Sequence, residues 1–259
     1  MCDLAPIAKK YEVEEVVDAI VDRLSRCFPS NKLEEWDPSL GQNLPVPPCL
    51  LENNDAVAVV VIARILDVPR LLPTAFYNCV LVFDAGELLA ASETESGDAP
   101  DLLLSRKDLG ICLSGYEDLL KQRKCMIKMF AEFAGDANCR SDQCKTSSRC
   151  HTAADKLLFR LLENDTYNTA PAVIDPMDSW FEKSYQETPQ AKLCRGCDKV
   201  LRGKVKKMQL EVWERLGSIF QVKPWPVTGE EDDGEGEQRN EAPENQASVH
   251  QHHIHGGTN

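Results

Sequence analysis

Five cysteines lie in two short stretches of the sequence, and their spacing is typical of metal ligands. Cys139 and Cys144 are separated by four residues, Cys150 comes six positions later, and Cys194 and Cys197 form a C-x2-C pair. Thiolates bind Zn²⁺ tetrahedrally, with zinc–sulfur bonds of about 2.3 Å, and a short spacing lets one turn of chain supply two ligands. We therefore predict one structural zinc site formed by Cys139, Cys144, Cys194 and Cys197.

The spacing leaves alternatives open for these cysteines. Cys150 or His151 can replace one of the four predicted ligands. The C-x2-C pair can instead be redox-active, because a helix N-terminus lowers the pKa of a thiol, although no βαβ pattern precedes it. The five cysteines can also be unrelated free thiols, since about 50 residues separate the two pairs and common zinc ribbons have a shorter separation.

The sequence contains no established catalytic motif: GxSxG, a P-loop, a GxGxxG after a strand and HExxH are all missing. His151 is the one histidine outside the C-terminal tail, and no nucleophile or orienting partner accompanies it in the sequence. The tail carries the other histidines, His250, His252, His253 and His255. We predict a protein that is not an enzyme.

The composition is that of an ordinary globular protein with an acidic balance. The 259 residues include 29 Lys plus Arg and 42 Asp plus Glu, giving a net charge of −13. This balance disfavours a general nucleic-acid binder. No apolar run is long enough to span a bilayer and no secretory signal is visible, so we predict reduced thiols and an intracellular location, in either nucleus or cytoplasm.

Apolar residues that recur three or four positions apart predict an all-α fold. The predicted helices cover 4–27, 53–66, 70–82, 107–113, 116–133, 151–163 and 191–220, with irregular chain at 85–101 and 165–190. Asn54 and Ser105 are predicted helix N-caps. β-branched residues at 57–62 favour a strand by propensity, but no partner strand exists, so we predict a helix there.

The last predicted helix is rich in basic residues. Lys204, Lys206 and Lys207 can contact an acidic partner, phosphate or the acidic tail, or can simply be solvated. An alternative function follows from this helix, namely a transcriptional regulator that associates with nucleic acid. Neither zinc-finger spacing nor aromatic residues among the lysines support that alternative.

Several segments are similar to one known family. An A-x-K-Y segment at 8–11 precedes a helix with spaced apolar residues, and 24–36 and 63–77 continue the similarity. The later motifs are a C-x4/5-C element, an L-C-x2-C element and a helix ending in W-x-x-L-x-x-I-F. The matching residues there are Cys139, Cys144, Leu193, Cys194, Cys197, Trp213, Leu216, Ile219 and Phe220. Over most of 4–223 the chain resembles the region that follows the BTB/POZ domain in fungal (mushroom-type) BTB proteins.

This resemblance implies a helical adaptor that binds protein partners. The implied organisation is the end of a BTB domain at 1–30, a BACK-like helical region at 31–134, a cysteine-rich helical subdomain at 135–226 and a disordered acidic tail at 227–259. The strands and early helices of a BTB core do not precede Leu4 in this sequence. BTB-type dimerisation is therefore not implied, and the partner is expected to be a protein of unknown identity.

Overall fold

Most of the residues that the computed structural model describes are α-helical; the described residues are 4–36, 55–90, 104–135, 144, 146–163, 173–175 and 177–225. No strand occurs among these residues, so the all-α prediction is confirmed. The predicted N-cap Asn54 and the predicted disordered tail lie outside the described residues. The predicted division at residue 134 stays a prediction.

The described residues form nine α-helices. In chain order they are α1 (Leu4–Lys10), α2 (Glu14–Cys27), α3 (Asp55–Leu66), α4 (Leu72–Val82), α5 (Ala85–Ala90), α6 (Arg106–Gly135), α7 (Ser147–Glu163), α8 (Asp178–Glu187) and α9 (Arg195–Ile219). Short 3₁₀ helices at Leu33–Glu35, Pro69–Leu71 and Pro189–Ala191 lie between them.

The long helix α6 lies at the centre of the packing. It contacts α4, α5, α7 and α9, while α3 packs against α1 and α4. Each of these nine helices contributes buried apolar residues to one core cluster, and the short helices α5 and α8 contribute Leu88 and Phe181. Aromatic rings supply much of its volume, with Phe76, Tyr77, Phe130 and Trp213 fully buried.

Hydrogen bonds to Asp175, which is partly buried, hold four distant parts of the chain together. The Tyr77 hydroxyl in α4 and the Trp36 indole N–H both donate to the Asp175 carboxylate, at 3.0 and 3.2 Å. The Gln209 side chain in α9 donates to the Asp175 carbonyl oxygen at 2.5 Å. Burial and the neighbouring Asp175 carboxylate raise the pKa of Tyr77 well above its usual value, so its hydroxyl stays a donor.

The single helix predicted over 4–27 is wrong, because the chain turns between α1 and α2. Glu12 has a φ of 53°, and the backbone N–H of Val13 donates to the Ala8 carbonyl at 3.0 Å. This is a Schellman helix end, which usually carries glycine. Asp67 after α3 and Gln221 after α9 have the same left-handed conformation. The sequence lacks the usual glycine signal at all three ends.

The predicted break between 113 and 116 is also wrong, since α6 runs without interruption through Gly115. A side chain at this position would overlap the ring of Phe220, which follows α9. That ring is fully buried and stacks on Phe76 with centroids 5.7 Å apart. Gly115 therefore permits the close approach of α9 to α6 and does not end a helix.

Two short helices occupy segments that were predicted to be irregular. At α5, Asp84 and Glu87 form a reciprocal capping box: each side chain accepts from the other's backbone N–H, at 2.8 and 2.9 Å. At α8, Trp180 and Phe181 are buried, with Tyr185 packed beside them. The Ser105 N-cap is confirmed, because its hydroxyl accepts from the Asp108 N–H at 3.1 Å.

We predict that Gly115→Ala destabilises the fold by about 1–3 kcal/mol, because the added methyl group meets a ring that has no free space to move into. Gly110→Ala is the matched control in the same helix. Gly110 is exposed and has open space around its missing side chain, so alanine there should stabilise by about 0.5–1 kcal/mol. Urea unfolding of the two variants measures both changes, and equal effects would contradict the prediction.

Candidate metal centre

Four cysteine thiols converge where the start of α7 meets the start of α9. The sulfur atoms of Cys144, Cys150, Cys194 and Cys197 all lie within 4.8 Å of one another. The Sγ atoms of Cys144 and Cys194 are 3.9 Å apart. All four are free thiols, and no disulfide joins the described cysteines.

Local structure explains how each thiol reaches the site. Cys150 lies in the first turn of α7 and Cys197 in the first turn of α9, and both are fully buried. Cys194 immediately precedes α9 in an extended conformation, and Cys144 lies in non-helical chain before α7. Two helix N-termini therefore meet at the site, and their partial positive charge favours thiolates there.

The geometry fits one tetrahedral metal ion. Four sulfurs placed about 2.3 Å from a central Zn²⁺ are about 3.8 Å from one another. The observed limit of 4.8 Å requires only small side-chain movements to reach that arrangement. A cluster of several iron atoms needs a wider cage, so the site can hold a single ion.

Hydrogen bonds at Cys150 favour its thiolate form. The backbone N–H of Cys194 points to the Cys150 sulfur at 3.4 Å, and the Thr146 hydroxyl lies 3.6 Å from it. Burial opposes ionisation, but these contacts and those from the neighbouring thiols outweigh it and lower the pKa of Cys150 to about 7. The lowered pKa increases the fraction of Cys150 present as thiolate, the form that binds a metal, at neutral pH.

Three of the four cysteines predicted as ligands lie at this site. The structure brings together Cys144, Cys194 and Cys197, and of the two substitutes it selects Cys150. The ring of His151 turns away to Asp155, with 2.8 Å between Nδ1 and the carboxylate, and is not among the converging groups. Cys139 lies outside the described residues. Its predicted role as a ligand stays a prediction.

Contacts around α8 fix the position of α7 relative to α9, the two helices whose starts meet at the site. Arg160 of α7 donates to the Thr188 hydroxyl at 2.7 Å and pairs with Glu187 at 3.2 Å. These bonds attach α7 to the segment that leads into α9. The Tyr185 hydroxyl donates to the Asp198 carboxylate in the first turn of α9, and burial and this hydrogen bond raise its pKa.

Arg202, one turn beyond Asp198 in α9, fixes the same helix against α8. Its guanidinium bonds to the carboxylates of Asp198 and Glu182, each at 3.0 Å, and to that of Asp178. It also lies 4.6 Å from the ring centroid of Phe181. The planar guanidinium thus presents its donors to three separate carboxylates while its face lies over an aromatic ring, an arrangement available to arginine and not to lysine.

The three lysines predicted to bind a partner lie further along α9. Lys206 pairs with Glu34 at 3.0 Å, and Lys207 lies 3.9 Å from Glu211. Lys206 also lines a cavity of about 400 Å³ between α8, α9 and the 3₁₀ helix at Leu33–Glu35. Lys206 and Lys207 thus have intramolecular partners, and the role of the three lysines in partner binding stays a prediction.

Comparison with known proteins finds no matching protein family, no similar curated protein and no similar solved structure. The similarity to fungal BTB proteins therefore stays a prediction from motif order. Among the described helices, none is both long enough and apolar enough to cross a membrane.

We predict that Cys150→Ser abolishes stoichiometric metal binding, because serine removes one of four converging thiolates. Cys125→Ser is the matched control, since Cys125 is an exposed single cysteine in α6 and lies outside the cluster. Elemental analysis of reduced, purified proteins for zinc and iron gives the result. Cys139→Ser should keep its metal. A variant of Cys139 that loses metal while Cys150→Ser retains it would reverse this assignment.

Proposed function

We propose that Cys144, Cys150, Cys194 and Cys197 bind one structural Zn²⁺. The convergence of their four sulfur atoms within 4.8 Å carries this proposal. A site made of thiolates alone favours Zn²⁺ over the oxygen-preferring Mg²⁺ and Ca²⁺. Four thiolates and one Zn²⁺ have a net charge of −2, which the two helix N-termini and the nearby exposed Lys192, Arg195 and Lys199 partly offset.

The zinc has a structural role in this proposal. Catalytic zinc sites keep one coordination position open for water or substrate, whereas four cysteines fill the tetrahedron. The ion links the start of α7 to the start of α9, and the contacts of Arg160 and Tyr185 join the same parts of the chain. Metal binding then adds its free energy directly to the folding of this region.

The protein as a whole acts, on this proposal, as a non-enzymatic adaptor inside the cell. Motif order supports it, because the chain resembles the helical region behind a BTB domain. Exposed apolar side chains on α1 and its end, those of Leu4, Ile7 and Tyr11, offer surface that a partner can cover. Binding of nucleic acid is the weaker candidate, since Lys206 and Lys207 are engaged by Glu34 and Glu211.

Metal removal tests the structural role. Chelation under reducing conditions should raise amide hydrogen exchange at 146–150 and 194–199, because the two helix starts lose their common link. Amides of α3 and α4 should keep their protection, since these helices lie in the apolar core. Hydrogen-exchange mass spectrometry measures both regions in one sample. Uniform loss of protection, or no change after confirmed metal loss, would contradict a local structural role.

Charge reversal at the three lysines tests the mode of interaction. We expect that the wild-type protein does not bind a 20-base-pair duplex, because the chain is acidic. Binding through phosphate contacts would be recognised by an affinity that falls steeply as the salt concentration rises. A protein partner identified by cross-linking should bind less tightly to the triple variant Lys204→Glu, Lys206→Glu, Lys207→Glu. Lys121→Glu and Lys128→Glu on α6 serve as controls. Salt-dependent duplex binding lost in the triple variant would favour the nucleic-acid alternative.

A further inference from the structure

The four thiols of the metal centre differ in their access to solvent. Cys150 and Cys197 are fully buried, whereas Cys144 and Cys194 are partly exposed. A small oxidant in solution therefore reaches the sulfurs of Cys144 and Cys194 first. Oxidation of cysteine depends on exposure as well as on thiolate character, and zinc binding keeps all four sulfurs in the thiolate form.

The same two cysteines are also the ones whose backbones lie outside helices. Cys194 is in an extended conformation before α9, and Cys144 is in non-helical chain before α7. Their sulfurs are 3.9 Å apart, so a disulfide of about 2.05 Å requires an approach of about 1.9 Å. Cys150 and Cys197 lie within hydrogen-bonded helical turns, which oppose the equivalent movement.

We propose that Cys144 and Cys194 are a redox-sensitive pair, which a peroxide converts to a disulfide with release of the metal. This inference rests on the proposed zinc site. In a redox-active C-x2-C motif the disulfide would join Cys194 to Cys197. Here the disulfide joins Cys194 to Cys144, which lies 50 positions earlier in the sequence, and Cys197 remains a thiol.

The reaction balances with hydrogen peroxide as the oxidant. One thiolate attacks a peroxide oxygen, the O–O bond breaks, and a sulfenic acid forms with release of hydroxide. The second thiolate then attacks the sulfenic sulfur, the S–S bond forms and a second hydroxide leaves. Two protons convert the hydroxides to water. The two sulfurs are oxidised by two electrons, and Zn²⁺, left with two protein thiolates, dissociates.

Oxidation replaces the zinc ion with a disulfide as the link between α7 and α9. Zinc joins the chain before α7 to the start of α9, and the disulfide joins the same two segments covalently. The helix starts are consequently tethered in both states, but Cys150 and Cys197 become free thiols. Metal loss by oxidation should therefore loosen α7 less than metal loss by chelation, where no bond replaces the ion.

The sequence makes the experiment direct, because trypsin separates all the cysteines concerned. Cys139, Cys144, Cys150, Cys194 and Cys197 fall on five different peptides, each bounded by Lys or Arg. Wild-type protein loaded with zinc is treated with increasing hydrogen peroxide. Zinc release is followed with a chromogenic chelator, and the remaining thiols are alkylated before digestion. Mass spectrometry then maps every disulfide.

We expect zinc to fall from one ion per chain to none, in proportion to a disulfide between peptides 141–145 and 193–195. A dithiol with added Zn²⁺ should restore the metal. Cys125, an exposed cysteine in α6, is the internal control and should oxidise more slowly. Zinc release with a different disulfide, or with sulfinic acid at these positions, overturns the proposal. Retention of zinc after Cys125 is oxidised overturns it equally.

Metal analysis before peroxide treatment separates the two hypotheses. Reduced protein without zinc or another bound metal contradicts the proposed metal site itself. Reduced protein with one zinc that peroxide cannot release, or that leaves without the Cys144–Cys194 bond, contradicts only the redox proposal. A Cys125→Ser variant should release zinc as the wild type does, which excludes a route through disulfides between molecules at that exposed thiol.

Discussion

The position of α9 is the constraint on which the metal centre depends. Cys194 and Cys197 meet Cys144 and Cys150 only if the first turn of α9 lies against the start of α7. Protein contacts fix α9 along the rest of its length: Arg202 binds the acidic residues of α8, and Gln209 binds the Asp175 backbone. At its far end Phe220 fills the space left by Gly115. The ligands are thus positioned by contacts remote from them.

Periodicity was enough to predict the fold class and most helices. Ile20, Val21 and Leu24 on the apolar face of α2 are buried, and so is most of the apolar sequence of α3. The helix α9 begins four residues after its predicted start. The errors have physical causes. Gly115 serves a close helix contact that sequence alone does not reveal, and Glu12 ends α1 without a glycine. The capping box at Asp84 and Glu87 was a local signal of α5 and could have been used.

The site was partly predictable, because residue type and spacing indicate chemistry but not which ligands converge. Cys194 and Cys197 are close in sequence, and a single turn brings them together. The choice between Cys150 and His151 depended on the direction of two adjacent side chains at the start of α7. One faces the core and the other faces solvent, where Asp155 binds it one turn later. The rotation of each residue about the helix axis determines which of Cys150 and His151 faces the site. Predicting it requires the exact residue at which α7 begins, and the sequence does not give that residue.

The wide separation of the ligands along the chain has a consequence for biosynthesis. Cys150 and Cys194 are 44 positions apart, so the ribosome completes α7 well before the second half of the site exists. During that interval Cys144 and Cys150 lack the two ligands that Cys194 and Cys197 supply. Closing so long a loop costs conformational entropy, which the packing of α9 must offset. Binding of a metal by all four cysteines therefore follows the docking of α9 against α7.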